Sequence, residues 1–255
     1  MGCGFEQRKE LILAELRKNP DLKITQIVDL TGAAVATVRR DILKMEEMNL
    51  IVRSFGSIRA VEQKSLVART FEQRSTINSE AKKRIASAAA QLVSPGMTIV
   101  LDSGTTCWNF AAELKDKAPL RIITSALAAV ETLGGIPGME IILVGGHFRI
   151  ENLDFAGPFI ISSFENYHAD IAFLGCDAFL PETGAFSRDA ESAAISMAIQ
   201  KCASKTVLLC DNSKIGISEP FLAMNKDNTD IIVTDKNIPE LQNSSCQVIV
   251  AGVEK

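Results

Sequence analysis

Thr37-Val38-Arg39-Arg40-Asp41-Ile42 and, just downstream, Val52-Arg53-Ser54-Phe55-Gly56-Ser57 decide how this chain is read. Val35, Val38, Ile42 and Met45 recur at the spacing of one helix face. That face is predicted to dock on a core and to turn Thr37, Arg39, Arg40 and Lys44 outward. Upstream, Ile24, Ile27, Val28 and Leu30 make a second short helix that Thr31-Gly32 ends. Leu11, Ile12, Leu13 and Leu16 mark a first helix within residues 5–18, closed by Asn19-Pro20. Downstream, Leu50-Ile51-Val52 reads as a strand, Ser54 to Ser57 as a turn, and Ile58-Arg59-Ala60-Val61 as the returning strand. Helix, glycine turn, helix and basic hairpin in that order form a winged helix-turn-helix.

The first turns of such a third helix enter a DNA major groove, where arginine bonds guanine O6 and N7 or a phosphate. Arg39 and Arg40 diverge by ~100° of helix rotation, so at most one is expected to read a base while the other grips the backbone. Arg53 and Arg59 on the wing are placed to hold flanking phosphate or minor groove. An Arg-Arg pair alone fits a solvated helix in a small bundle equally well. The ordered run around it favours double-stranded DNA.

Charge supports this polarity. Residues 1–60 hold ten Lys/Arg and eight Asp/Glu, a net +2, whereas the remaining residues carry 17 and 23, a net −6. A mildly basic head on an acidic body suits a protein that touches DNA with one end. The apolar share of 47% and the charged share of 23% are those of an ordinary globular protein. No apolar run approaches the ~20 residues that span a bilayer, so no membrane partner is expected. Met1 to Glu6 lacks a charged n-region and an apolar h-region, and Glu6 occupies the position where myristoylation needs Ser or Thr. A cytoplasmic location is the expectation. The six cysteines (Cys3, Cys107, Cys176, Cys202, Cys210, Cys246) show no C-x-x-C pair, and His147 and His168 are the only histidines. Neither a metal nor a cofactor is expected, and the thiols read as small buried apolar groups.

The length allows two domains: a head over 1–61 and a body over 80–255, joined by a polar, aperiodic linker at 62–79. A helix is predicted from Glu80 to about Leu92, ended by Ser94-Pro95-Gly96. Apolar runs then alternate with helical stretches, at 98–101, 120–123, 140–144, 171–174, 206–210, 231–233 and 248–250. Short continuous apolar strands of this kind predict an α/β body with a mostly parallel sheet covered on both faces.

In such a sheet, ligands bind at the carboxyl ends of the strands. Asp102-Ser103-Gly104-Thr105-Thr106 stands where a strand hands over to a helix, and its hydroxyls and free N–H groups suit a phosphate. Taken alone, the stretch could merely turn and cap a helix. Polar and glycine clusters recur, however, at the ends of later strands: Thr124-Ser125, Gly145-Gly146 with Arg149, Gly175-Cys176-Asp177, and Asp211-Asn212-Ser213-Lys214. Asp177 and Glu191 could accept bonds from sugar hydroxyls, and Lys214 or Arg149 could neutralise an anion.

The head resembles that of the DeoR family of bacterial sugar-responsive transcription regulators, whose pattern is T-[IV]-R-R-D-[LI] followed by a wing R-x-[HY]-G-G. Thr37 to Ile42 match it fully, Arg53 and Gly56 match within the wing, and Phe55, Ser57 and the uncapped Ala34 depart from it. The body is similar to the family's sensor domain, whose fold is related to ribose-5-phosphate isomerases. It matches at Phe71 and Arg74, at Asn78-x-Glu80-x-Lys82, at Asp102 to Thr106, and at Gly145-Gly146-x-x-Arg149. Further matches are Gly157-Pro158, Asp170-x-Ala172-Phe173-Leu174-Gly175-x-Asp177, Glu191, Asp211-x-Ser213-Lys214-x-Gly216 and Thr234-Asp235. The resemblance implies a homo-oligomeric regulator, dimer or tetramer, that represses a carbohydrate operon and is controlled by a phosphorylated sugar or related metabolite.

The departures in the body fall on the expected pocket. The family's T-N-S is Thr124-Ser125-Ala126 here, its G-x-T-T is Gly184-Ala185-Phe186-Ser187, and the lysine five residues after its glutamate is Ser196. An amide, a hydroxyl and a cation are thereby lost. The other class of reading is a sugar-phosphate isomerase with a vestigial DNA-binding head. Asp102, Asp177 and Glu191 would supply its carboxylates, but the lysine-rich glycine loop of such isomerases is missing and Ser196 replaces a lysine. The chain is therefore expected to have no catalytic residues.

Overall fold

The computed structural model describes residues 4–16, 19, 21–48, 50–54, 57–60, 71–241 and 246–252. The chain divides into two compact units, Met1–Ala68 and Arg69–Lys255. The expected wing-turn residues Phe55 and Gly56, and residues 62–70 of the expected linker, lie outside the described set.

The first unit contains α1 (Phe5–Leu16), β1 (Leu22–Lys23), α2 (Ile24–Thr31), α3 (Val35–Glu47), β2 (Ile51–Ser54) and β3 (Ser57–Ala60). Ile12, Leu16, Ile27, Val38, Ile42 and Met45 from the helices close over Leu22, Ile51 and Ile58 from the strands. Gly32 ends α2 in the left-handed conformation (φ +63°), and its N–H donates to the Val28 carbonyl at 2.8 Å. A residue with a Cβ would be strained there. Val35 corrects the expected helix face: it is 48% exposed, because it stands at the first position of α3, ahead of the turn that meets the core. The wing also has a third strand that two-residue periodicity could not reveal. β1 pairs antiparallel with β3, Leu22 opposite Ile58, giving the order β1-β3-β2.

The second unit opens with α4 (Phe71–Thr76) and α5 (Ser79–Ala90), so residues 71–79 are not linker as the sequence suggested. Phe71 anchors α4 by burying its ring edge-on against Trp108, 5.8 Å between centroids. Next come β4 (Thr98–Leu101), α6 (Thr105–Glu113), β5 (Leu120–Thr124), α7 (Leu127–Leu133), β6 (Met139–Leu143), β7 (His147–Arg149), β8 (Asp154–Ala156) and α8 (Pro158–Phe164). The unit continues with β9 (Ile171–Leu174), β10 (Ala178–Leu180), β11 (Gly184–Ser187), α9 (Ala190–Lys201), β12 (Thr206–Leu209), β13 (Phe221–Asn225), β14 (Ile231–Thr234) and β15 (Gln247–Val250).

Seven strands form a parallel sheet in the order β15-β14-β12-β9-β4-β5-β6. Alternation along each apolar run feeds two cores. Ile99, Leu101, Phe173, Leu209 and Val233 meet Ile85 and Ala89 of α5, Phe110 of α6 and Leu133 of α7 on one face. Val100, Ala172, Leu174, Leu208 and Ile232 meet Ile160 of α8 and Ile195 and Ile199 of α9 on the other. That second face also carries the antiparallel sheet β10-β11-β13. Gly184-Ala185-Phe186-Ser187 is thus a paired strand rather than an open pocket loop. A Cβ on Gly184 would lie 2.1 Å from the Met224 carbonyl oxygen, so glycine is fixed there by the approach of β13.

Candidate effector cleft and nucleic-acid face

On the head, Arg39, Arg40 and Lys44 project from the exposed side of α3, and Thr37 is half-buried at its first turn. Asp41, from the same motif, points the other way and is buried. Arg8 of α1 grips it with a fork, Nε to Oδ2 at 2.6 Å and Nη2 to Oδ1 at 3.0 Å. The motif therefore combines two outward cations with an inward carboxylate that fixes how α3 sits on α1. Lys44 is partly engaged: its ammonium lies over the Phe5 ring, 4.2 Å from the centroid. The wing cations rest on surface carboxylates, Arg53 on Glu46 at 2.7 Å and Arg59 on Asp21 at 3.0 Å. Exposed, solvent-screened pairs of this kind contribute little to stability, so a phosphate can displace the carboxylate.

On the body, the register Leu101↔Thr124, Leu101↔Phe173 and Leu208↔Leu174 brings the segments after β4, β5, β9 and β12 to one sheet edge. Asp102 leaves β4 buried, donating its N–H to the Phe173 carbonyl at 3.0 Å. Gly104 (φ +99°) then turns the chain into α6. The first helical bond of α6 runs from the Trp108 N–H to the Gly104 carbonyl at 2.9 Å. The N–H groups of residues 105–107 precede it, at the positive end of the helix dipole. Gly175 packs alongside, where a Cβ would lie 3.7 Å from the Ser103 carbonyl oxygen. Lys214 crosses from the next strand end and donates to the Cys176 carbonyl at 2.6 Å, with Asp211 3.8 Å away. Asp177 accepts from the Arg188 N–H at 3.1 Å and from Ser187 at 3.4 Å.

Several expected ligand groups are occupied within the fold. Thr124 is fully buried; its hydroxyl donates to the Leu101 carbonyl and accepts from the Ala126 N–H, which ties β5 to β4. Ser125 is buried and its carbonyl accepts from Phe155. Gly145 is exposed, while Gly146 is required by packing, since a Cβ there would meet the Ala156 carbonyl oxygen at 2.4 Å. The glycine loop ends in the β7–β8 hairpin, and Arg149 within it is buried. Its fork binds Asp154 at 2.9 and 2.7 Å and its remaining nitrogen, Nη1, meets Asp189 at 3.2 Å and Glu191 at 3.7 Å. Arg149 is thus neutralised by carboxylates of its own fold instead of offering an unopposed cation to a ligand, while Glu191, 3.7 Å from it, keeps its side chain partly exposed.

Sequence reasoning passed over Arg74 and Lys82 as site residues, although both fall in motifs it matched. Buried Lys82 donates to the Arg74 carbonyl at 2.6 Å. Burial brings its pKa down to about 8, with help from Lys214 and Arg74 against the pull of Asp211. Arg74 Nη2 donates to Asn152 at 2.7 Å, while its buried Nε has no partner among the described residues. Asp102 moves the opposite way. Burial raises its pKa to about 7, against N–H bonds from Ser103 and Gly175. Ser196 of α9 donates to its Oδ2 at 3.4 Å, so the departure at 196 falls on a position that faces Asp102. An open polar depression of about 470 Å³ lies one strand further on, lined by Asn78, Arg84, Asp211, Ser213, Asp235 and Lys236 among others. Of the expected strand-end clusters only Asp211-Asn212-Ser213 reaches it, Lys214 does not, and its chemistry is mixed in sign.

Residues 77–236 match the DeoR C terminal sensor domain, and residues 8–64 match the DeoR-like helix-turn-helix domain. The chain belongs to the DeoR family. Its relatives in that family include the HTH-type transcriptional repressor CsqR of Escherichia coli K12, 29% identical over 95% of this chain and 94% of that protein. The HTH-type transcriptional repressor GlcR of Bacillus subtilis is 28% identical over 91% and 88%. Among solved structures, ribose 5-phosphate isomerase A of Methanocaldococcus jannaschii is similar over 54% of this chain and 55% of its own, at 22% identity and a TM-score of 0.40. Among the described residues of this DeoR-family chain, no helix is long and apolar enough to cross a membrane.

Proposed function

We propose that the chain is a cytoplasmic, homo-oligomeric transcriptional repressor of a carbohydrate operon, whose hold on its operator is set by a phosphorylated sugar or related anionic metabolite. The effector sits at the carboxyl edge of the parallel sheet, against the start of α6 and Lys214. One observation carries this reading: the free N–H groups ahead of Trp108 and the Lys214 ammonium, with Lys82 near it, are gathered at one strand edge. Family membership and the names of the relatives support the repressor part. The paired heads of a two-fold dimer would match a palindromic operator.

Trp108, the sole tryptophan, sits in the first turn of α6 and its indole N–H donates to Thr132 at 3.1 Å. Its fluorescence therefore reports on rearrangement of the first turn of α6. Titration with a panel of sugar phosphates, free sugars and polyols is expected to shift that emission for a phosphorylated member. The same compound should raise the melting temperature, since a ligand at 100 times its Kd adds ~2.7 kcal/mol. Silence of both signals across the phosphorylated compounds, with a response to a neutral polyol, would replace the anion by a neutral effector. Turnover of ribose 5-phosphate would instead favour the isomerase reading, and none is expected.

A further inference from the structure

Two thiols meet at the floor of this strand edge without any part in effector binding. Leu208 of β12 stands opposite Leu174 of β9 in the parallel ladder. Continuing that register by two residues places Cys210 opposite Cys176. Both pack into the same core layer, the one that holds Leu174 and Leu208, whereas Cys107 belongs to the layer on the other face. The Cys210 thiol donates to the Asp211 carbonyl at 3.6 Å, and the two sulfurs lie close enough to alter one another's acidity. Neighbouring strands lie about 4.8 Å apart, within the Cα separation of about 4.4–6.8 Å that a disulfide spans. Both residues also lie just past their strand ends, where fewer ladder bonds oppose a small adjustment. Cys176 is partly open to solvent and Cys210 is buried, so an oxidant meets Cys176 first.

We propose that Cys176 and Cys210 are a peroxide-reactive dithiol, with Cys176 as the attacking and Cys210 as the resolving sulfur. The Cys176 thiolate attacks a hydroperoxide; the S–O bond forms as O–O breaks, and the departing hydroxide leaves as water with the proton Cys176 gave up. Cys210 sulfur then attacks the sulfenic sulfur. The S–S bond forms, S–O breaks, and the second water leaves with the Cys210 proton. Two thiols are oxidised by two electrons, and one hydrogen peroxide becomes two waters. The roles fit the local electrostatics. The neighbouring Cys210 thiol holds Cys176 below the ordinary thiol range against its burial, with Lys214 adding to the effect. Cys176 beside it, together with burial, pushes Cys210 well up. Because Lys214 donates to the Cys176 carbonyl, the bridge would form beneath a proposed effector contact. The thiol chemistry itself does not depend on which effector binds.

The test uses the reduced full-length protein, hydrogen peroxide as oxidant, alkylation of remaining thiols and peptide mapping by mass spectrometry. The expected product is about 2 Da lighter, contains a peptide linking Cys176 to Cys210, and is restored by dithiothreitol. In C210S, Cys176 should accumulate as a sulfenic acid that dimedone traps. In C176S, oxidation of Cys210 should slow by about tenfold or more, because its thiol is buried and raised. The wild-type map alone decides the matter if a variant folds poorly. Both cysteines still fully alkylated after peroxide, or a bridge from either one to Cys107, would overturn the proposal.

Discussion

Asp102 is the residue whose charge state most affects the cleft. Its pKa lies near 3.8 in an unfolded chain and about 7 in the fold. Between these values the folded state keeps a proton that the unfolded state has lost, so stability falls as pH rises from about 4 to about 7 and then levels. At about 1.4 kcal/mol per unit, a move from pH 5 to pH 8 should cost about 2–3 kcal/mol. The Asp102→Asn variant keeps the shape without the proton and should escape this loss. Urea unfolding of both proteins at the two pH values measures it; an equal gap at pH 5 and pH 8 would mean that Asp102 is ionised in the fold. Ser196 decides the same point from the other side. The variant Ser196→Lys would bring an ammonium to Asp102 and return it to the ordinary carboxylate range, so the stability lost between pH 5 and pH 8 should largely disappear. Urea unfolding of that variant at the same two pH values checks it, and a loss as large as that of the wild type would leave Asp102 unpaired.

At the scale of elements, α3 separates stability from recognition. Arg39 and Arg40 face solvent, whereas Asp41 is buried against the Arg8 fork. Substituting Arg39 or Arg40 with alanine should change stability by no more than about 0.5 kcal/mol and abolish the operator gel shift. Asp41→Ala removes the buried carboxylate that holds the Arg8 fork and should cost about 1.5–3 kcal/mol. An undiminished gel shift with both arginine variants would remove α3 from the DNA face. The same elements show what a sequence makes legible. The strands of the parallel sheet were readable because burial on both faces writes them as unbroken apolar runs, such as Ile171-Ala172-Phe173-Leu174. The strands β1, β7, β8, β10, β11 and β13 were not, being antiparallel and, at two to five residues, too short to show a period. Helix α4 hid because one anchor, Phe71, holds six residues and gives no period. In the cleft, the Asp102–Thr106 turn was legible from its strand-to-helix setting. The neutralisation of Arg149 was not, since Asp154, Asp189 and Glu191 come from other elements and only folding brings them to it.

For the whole molecule, charge placement sets how DNA is held. A head of net +2 on a body of net −6 confines phosphate attraction to α3 and the wing. Each phosphate neutralised releases condensed counterions, so the logarithm of affinity falls with the logarithm of salt by ~0.9 per contact. With two heads in the proposed dimer, removing one phosphate contact per head lowers the slope by about 2. Arg59→Ala should do this while weakening selected and random duplexes alike, because backbone contacts carry no sequence information. Arg59 is also the partner of Asp21, so Asp21→Asn releases it and should strengthen binding to both duplexes. An arginine of α3 that reads a base behaves differently: its alanine variant narrows the gap between the selected operator and random DNA by about 1–3 kcal/mol. Fluorescence anisotropy across a salt series, with an operator selected from random duplexes, separates the two roles. An Arg59→Ala slope equal to that of the wild type would place the wing off the DNA and leave recognition to α3 alone.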